Sequence, residues 1–152
     1  MTAALTAPRL FGVKEANALV PRLNQLFTEV REEIAAAQQL GRDLEALGHP
    51  IVSNQAITVD PLAPAGVREK QRELKRRTET VLECLEEVAE LGAEVKSVDG
   101  LVDFRSRRHG EIVNLCWKFP ETEITHWHDL RSGFAGRQRL TDLREFQGDF
   151  LQ

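Results

Sequence analysis

Two imidazoles, His126 and His128, stand two residues apart in the segment Glu123-Ile124-Thr125-His126-Trp127-His128. Side chains alternate between the faces of a β-strand, so on a strand this spacing points both rings the same way, within reach of one metal ion. Two ligands do not make a site, and the others must come from a neighbouring strand. Asp103 and Cys116 supply the right types, a carboxylate and a thiol, which with neutral imidazole form a donor set for zinc or another borderline divalent metal. Glu123 and Glu15 are further carboxylates that can be added to that set. Arg137 follows the glycine-containing stretch Ser132-Gly133-Phe134-Ala135-Gly136 and presents a planar fork suited to a small anion, so Glu15 and Arg137 are read as ligand-binding residues.

Whether these groups meet depends on strand register. Pairing a first hairpin across Ser106 and Glu111 sets Asp103 opposite Asn114 and Leu101 opposite Cys116, so that Asp103, Asn114 and Cys116 share a face. The other face carries Val102, Phe104, Val113, Leu115 and Trp117 and is the one expected against the helices. The second turn leaves two solutions, because a slip of one residue moves every side chain of a strand to the other side. If Lys118 pairs with Ile124, Cys116 faces His126, Asn114 faces His128, and Trp127 enters the core. If Lys118 pairs with Glu123, the histidines fall on the core face and the constellation dissolves. Burial of Trp127 favours the first. Plainer readings stand beside each motif: a His-x-His strand can be exposed surface, Cys116 between Leu115 and Trp117 can be a small buried hydrophobe, and Arg105, Arg107 and Arg108 with His109 can be a solvated hairpin tip.

The elements that would position these residues follow from periodicity. Ala16, Val20, Leu23, Phe27, Val30, Ile34 and Ala37 recur at alternating spacings of four and three, predicting a helix from Gly12 to Gly48, with Glu15 near the unpaired amides of its start and a kink at Pro21. A proline-containing connection spans 49–66. Val67, Gln71, Leu74, Thr78, Val81, Leu85 and Val88 predict a second helix to about Gly92, and the matched stripes predict an antiparallel hairpin. Runs from Leu101 to Ser106, Glu111 to Lys118 and Glu123 to His128 predict a three-stranded antiparallel meander, with 129–152 irregular. The fold class is therefore α+β, in a single domain over 1–152.

Composition limits the rest. A chain of 152 residues with 41% hydrophobic and 29% charged residues suits one folded domain rather than a disordered segment. A net charge of −4 from 20 basic and 24 acidic residues gives no reason to expect nucleic acid or an anionic membrane as partner. No apolar run approaches the length that spans a bilayer, no secretion signal opens the chain, and Cys84 and Cys116 form no CxxC pair, so a cytoplasmic protein with two reduced thiols is expected. No phosphate-binding loop, dinucleotide fingerprint or nucleophile triad motif is present. A homodimer is expected, because two helices and three strands leave an apolar stripe or face to cover. A helical interaction module without catalysis is the rival to a metal or small-anion site.

Glu15-Ala16-Asn17, Gly100-Leu101-Val102-Asp103-Phe104, Cys116-Trp117, Trp127-His128 and Gly133-Phe134-Ala135-Gly136-Arg137, in that order, resemble the uncharacterised bacterial family known as domain of unknown function 2203. The similarity runs from about Phe11 to Leu140. It brings no activity, but it implies that Glu15, Asn17, Asp103, Cys116, Glu121, Glu123, His128 and Arg137 stand at matching places. His126 is not part of that pattern, where an aromatic residue is frequent, so the resemblance shifts weight to His128 with a carboxylate. Gly12, in place of a threonine cap, and the turn Phe119-Pro120-Glu121-Thr122-Glu123, in place of a glycine-containing one, depart from it.

Overall fold

A computed structural model describes residues 9–149. Two packed helices precede an antiparallel sheet: α1 is Val13–Ala46, α2 is Ala65–Glu90, and the strands are β1 Glu94–Ser97, β2 Leu101–Arg108, β3 Glu111–Lys118, β4 His126–His128, β5 Gln138–Arg139 and β6 Phe146–Gln147. The described residues divide into two compact units, 9–27 with 85–149, and 28–84, and both helices contribute to each.

In the first unit α1 begins as its residue types predict. Glu15 Oε1 accepts from the Gly12 amide at 3.1 Å, satisfying a donor at the helix start, while Arg9 holds its other oxygen at 3.0 Å. The helix continues through Pro21. Ala16, Val20, Leu23 and Phe27 are buried, as are Val102, Phe104, Leu115 and Trp117 of the sheet. Phe27 meets Trp117 with ring centroids 5.7 Å apart, and Phe11 meets Phe104 edge-on at 5.0 Å, so the apolar sheet face does pack on this part of α1. Arg22 donates to Glu87 of α2 at 2.7 Å.

In the second unit Arg77 reaches Glu33 at 3.1 Å and Lys70 reaches Asp43 at 3.5 Å, an order that requires the helices to run antiparallel. Leu40, Leu44, Ala63, Val67 and Leu74 form its core. α1 ends here with the His49 amide on the Leu44 carbonyl and the Gly48 amide on that of Glu45, the paired bonds of a Schellman motif.

The sheet differs from the expected meander in three respects. Strand order is β1-β2-β3-β4-β5, with β6 also on β2, so β1 joins ahead of the hairpin and the segment expected to be irregular supplies β5 and β6. β1 carries a single apolar residue, Val95, and the two-residue strands fall below the length at which alternation can be read. The first hairpin is also tighter than expected. Only His109 and Gly110, with φ of 50° and 80°, make the turn, so Arg108 pairs with Glu111 and Asp103 pairs with Cys116 rather than Asn114. A shift of two residues keeps every face, so only the opposite partner changes. The second turn adopts the register that buries Trp127: Asn114 pairs with His128, Leu115 with Trp127 and Cys116 with His126. Trp127 packs on Phe146 at 5.8 Å and under the Arg108 guanidinium at 4.5 Å.

Gly100 links β1 to β2 with φ of 107°, and a Cβ there would lie 2.3 Å from Cβ of Phe119. Gly100→Ala is therefore expected to destabilise the fold by about 2 kcal/mol, from backbone strain and overlap together. Equilibrium urea unfolding would measure it, and an unchanged midpoint would contradict this packing.

Candidate metal centre

The central strands are buried on both faces, so the face turned away from α1 hides polar groups. Asp103, Cys116 and His128 are at most 3% exposed. One donor atom from each lies within 4.8 Å of the others. β2 and β3 set Asp103 directly beside Cys116, and β4 brings His128 in from the other side of β3, where its Nε2 lies 3.1 Å from Asp103 Oδ1. A tetrahedral zinc site has its ligand atoms roughly 3–4 Å apart. The three side chains thus need close only slightly to hold an ion, and this buried group can bind a metal.

The hydrogen bonds prepare the imidazole for that role. His128 Nδ1 is 2.7 Å from the carbonyl oxygen of Asp129, which can only accept, so Nδ1 carries the proton and the neutral ring has its lone pair on Nε2. Asp129 is itself fixed by the Arg131 and Ser132 amides at 2.9 and 2.7 Å, and the Ser132 bonds chiefly hold its carboxyl below the usual range. Burial pushes the Asp103 carboxyl up, against the pull of His128. Burial, with Asp103 adding to it, pushes the Cys116 thiol up to about 11, while Arg137 opposes the rise. A cysteine–histidine nucleophile does not fit this arrangement: both nitrogens of His128 are engaged, by Asp129 and Asp103, and none is left to take the thiol proton.

The remaining candidates lie elsewhere. His126 is paired with Cys116 in register, but its Nδ1 accepts from Arg137 at 2.9 Å and sits 2.8 Å from Thr125 Oγ1; it is outside the three-residue group, and burial, then Arg137, keep its pKa low. Arg137 joins Glu121 at 3.2 Å and lies over the Phe134 ring at 4.7 Å. Glu123 is exposed in the turn before β4. Glu15 is engaged at the start of α1, as described above. Asn17 accepts from the Ile124 amide at 2.7 Å and so anchors that turn on α1. Sequence reasoning missed the Asp129 carbonyl, which is backbone and not revealed by residue type; Glu121, which the family resemblance does include, sets its carboxylate on Arg137 and the Lys118 amide rather than in the three-residue group.

A helical pair carrying an antiparallel sheet, with a buried aspartate, cysteine and histidine converging on one sheet face, defines the class of protein. The chain belongs to the family described as uncharacterized conserved protein (DUF2203), whose model matches residues 9–140. No curated protein and no solved structure matches it. No helix among the described residues is long and apolar enough to cross a membrane.

A thiol held near 11 is about one part in a thousand thiolate at pH 8. In metal-free native protein Cys116 is therefore expected to react with iodoacetamide at least about a hundredfold more slowly than in urea-unfolded chain. Mass-spectrometric mapping of the labelled peptide checks this, and comparable rates would mean that the thiol is neither buried nor raised.

Proposed function

We propose that this protein binds one divalent metal ion, zinc in preference to magnesium or calcium, through Asp103, Cys116 and His128. The observation that carries the reading is the convergence of three buried donor atoms with the imidazole proton already committed to a backbone carbonyl. Charge supports it too. A carboxylate and a thiolate balance a dication, leaving no net charge out of water, whereas the same side chains without an ion must stay protonated to avoid that cost. The thiolate favours zinc over the hard cations, which prefer all-oxygen shells. A reducing compartment such as the cytoplasm suits a chain whose two cysteines are both buried thiols. No reaction is assigned.

Elemental analysis of the purified protein is expected to find about one zinc per chain, lost in His128→Ala and in Cys116→Ser while the circular dichroism spectrum keeps its native shape. Metal-free wild type that takes up no zinc at micromolar concentration would overturn the reading. Binding also has a proton signature. Because the thiol is raised to about 11, it is protonated at neutral pH and must lose that proton to the incoming ion. The proton shared by Asp103 and His128 must leave as well, so zinc affinity should rise by up to about a hundredfold per pH unit between pH 6 and 8, with the release of two protons visible as a buffer-dependent calorimetric heat.

A second reading, a homodimeric interaction module, is supported by the second unit, where Leu47, Ile51, Val52 and Leu62 are 52%, 47%, 54% and 93% exposed. Light scattering at high protein concentration is expected to return a dimer mass if these side chains are covered by a second copy. A monomer mass would remove that reading and leave the metal reading untouched.

A further inference from the structure

Three protein donors leave a tetrahedral zinc site one short. Asn114 precedes Cys116 by two residues on β3, shares its face, and pairs directly with His128 on β4. It is 4% exposed, and its Oδ1 is buried without a hydrogen-bond donor. A buried carboxamide oxygen in that state is rare because desolvation goes uncompensated. Its neighbours do not donate to it. His128 is committed through both ring nitrogens to Asp129 and Asp103, and Arg105, the pairing partner of Asn114 on β2, turns its guanidinium to Glu94 at 3.9 Å. Other polar groups near the centre are engaged: His126 Nδ1 by Arg137, and the Glu121 carboxylate by Arg137 and the Lys118 amide.

We infer that Asn114 Oδ1 is the fourth ligand of the metal held by Asp103, Cys116 and His128, so that the coordination shell is closed by protein atoms. An oxygen lone pair with no proton to accept is satisfied by a cation as well as by a donor. A neutral carboxamide also keeps the balance of dication, carboxylate and thiolate at zero. The inference rests on the metal reading above and specifies its kind: a shell without a water or substrate position belongs to a structural centre, whereas catalytic zinc sites keep that position open.

Cobalt(II) in place of zinc is the probe, with azide as a small exogenous ligand. The full-length wild-type protein is expected to bind cobalt with a thiolate charge-transfer band and to show no change in its visible spectrum on adding azide. Asn114→Ala is expected to bind cobalt at least about tenfold more weakly, the scale of loss seen when supporting groups of a metal site are removed, and to respond to azide. Asn114→Asp, which keeps an oxygen donor of the same reach, is expected to stay silent to azide. An azide response in wild type would show that the fourth position is open and overturn the inference even if Asn114→Ala failed to fold. So would an Asn114→Ala protein matching wild type in both affinity and azide silence. Absence of cobalt binding in wild type is a distinct result, which removes the metal reading and this inference with it.

Discussion

A carboxyl, a thiol and an imidazole sit together out of water on one face of the sheet, and the account of this protein depends on how that burial is compensated. Isolated charges in such a place are prohibitively costly, so either protons or an ion must neutralise them. The Asp103–His128 contact at 3.1 Å uses one shared proton, and the raised thiol of Cys116 keeps another. A dication replaces both at once. That exchange explains why the groups are drawn so close, why the imidazole is orientated from behind by the Asp129 carbonyl, and why Asn114, on the same sheet face, can carry a buried oxygen that lacks a donor.

The sheet makes this possible because β2 and β3 are covered on both sides. Val102, Phe104, Leu115 and Trp117 seal one face against α1, while Asp103, Asn114 and Cys116 lie on the other, also shielded from solvent. Turn anchors hold β4 in place. Asn17 and Asn24 on α1 hold Ile124 and Glu121, the Trp117 indole donates to the same Glu121 carbonyl at 2.9 Å, and Arg137 clips the Glu121 side chain from beyond β4. Two asparagines on the first helix thereby help set the register that brings His128 over β3.

Much of this was legible in the chain, and the reasons for what was not are physical. The four-three spacing of Ala16 through Val30 and of Val67 through Val88 predicted both helices, because one buried stripe imposes that period over several turns. Trp127 selected the correct register for β4, since a large apolar ring between two histidines can satisfy only one parity. The first hairpin was placed two residues out because His109 does not advertise a positive φ as glycine or asparagine does, yet the faces survived, since strand parity is insensitive to an even shift. β1, β5 and β6 were invisible because strands of two to four residues carry too little alternation. At the site, residue type nominated Asp103, Cys116 and His128. It could not separate them from His126, Glu123, Glu15 and Arg137, whose placements depend on turns and caps rather than on parity.

The central claim is that one thiolate, one imidazole and oxygen donors surround a single ion. X-ray absorption at the zinc K-edge of the zinc-loaded protein reads that donor set directly. The account predicts one sulfur at about 2.3 Å with nitrogen and oxygen at about 2.0–2.2 Å, and an imidazole outer-shell pattern from a single ring. A zinc environment with no sulfur, or with two or more, would contradict it.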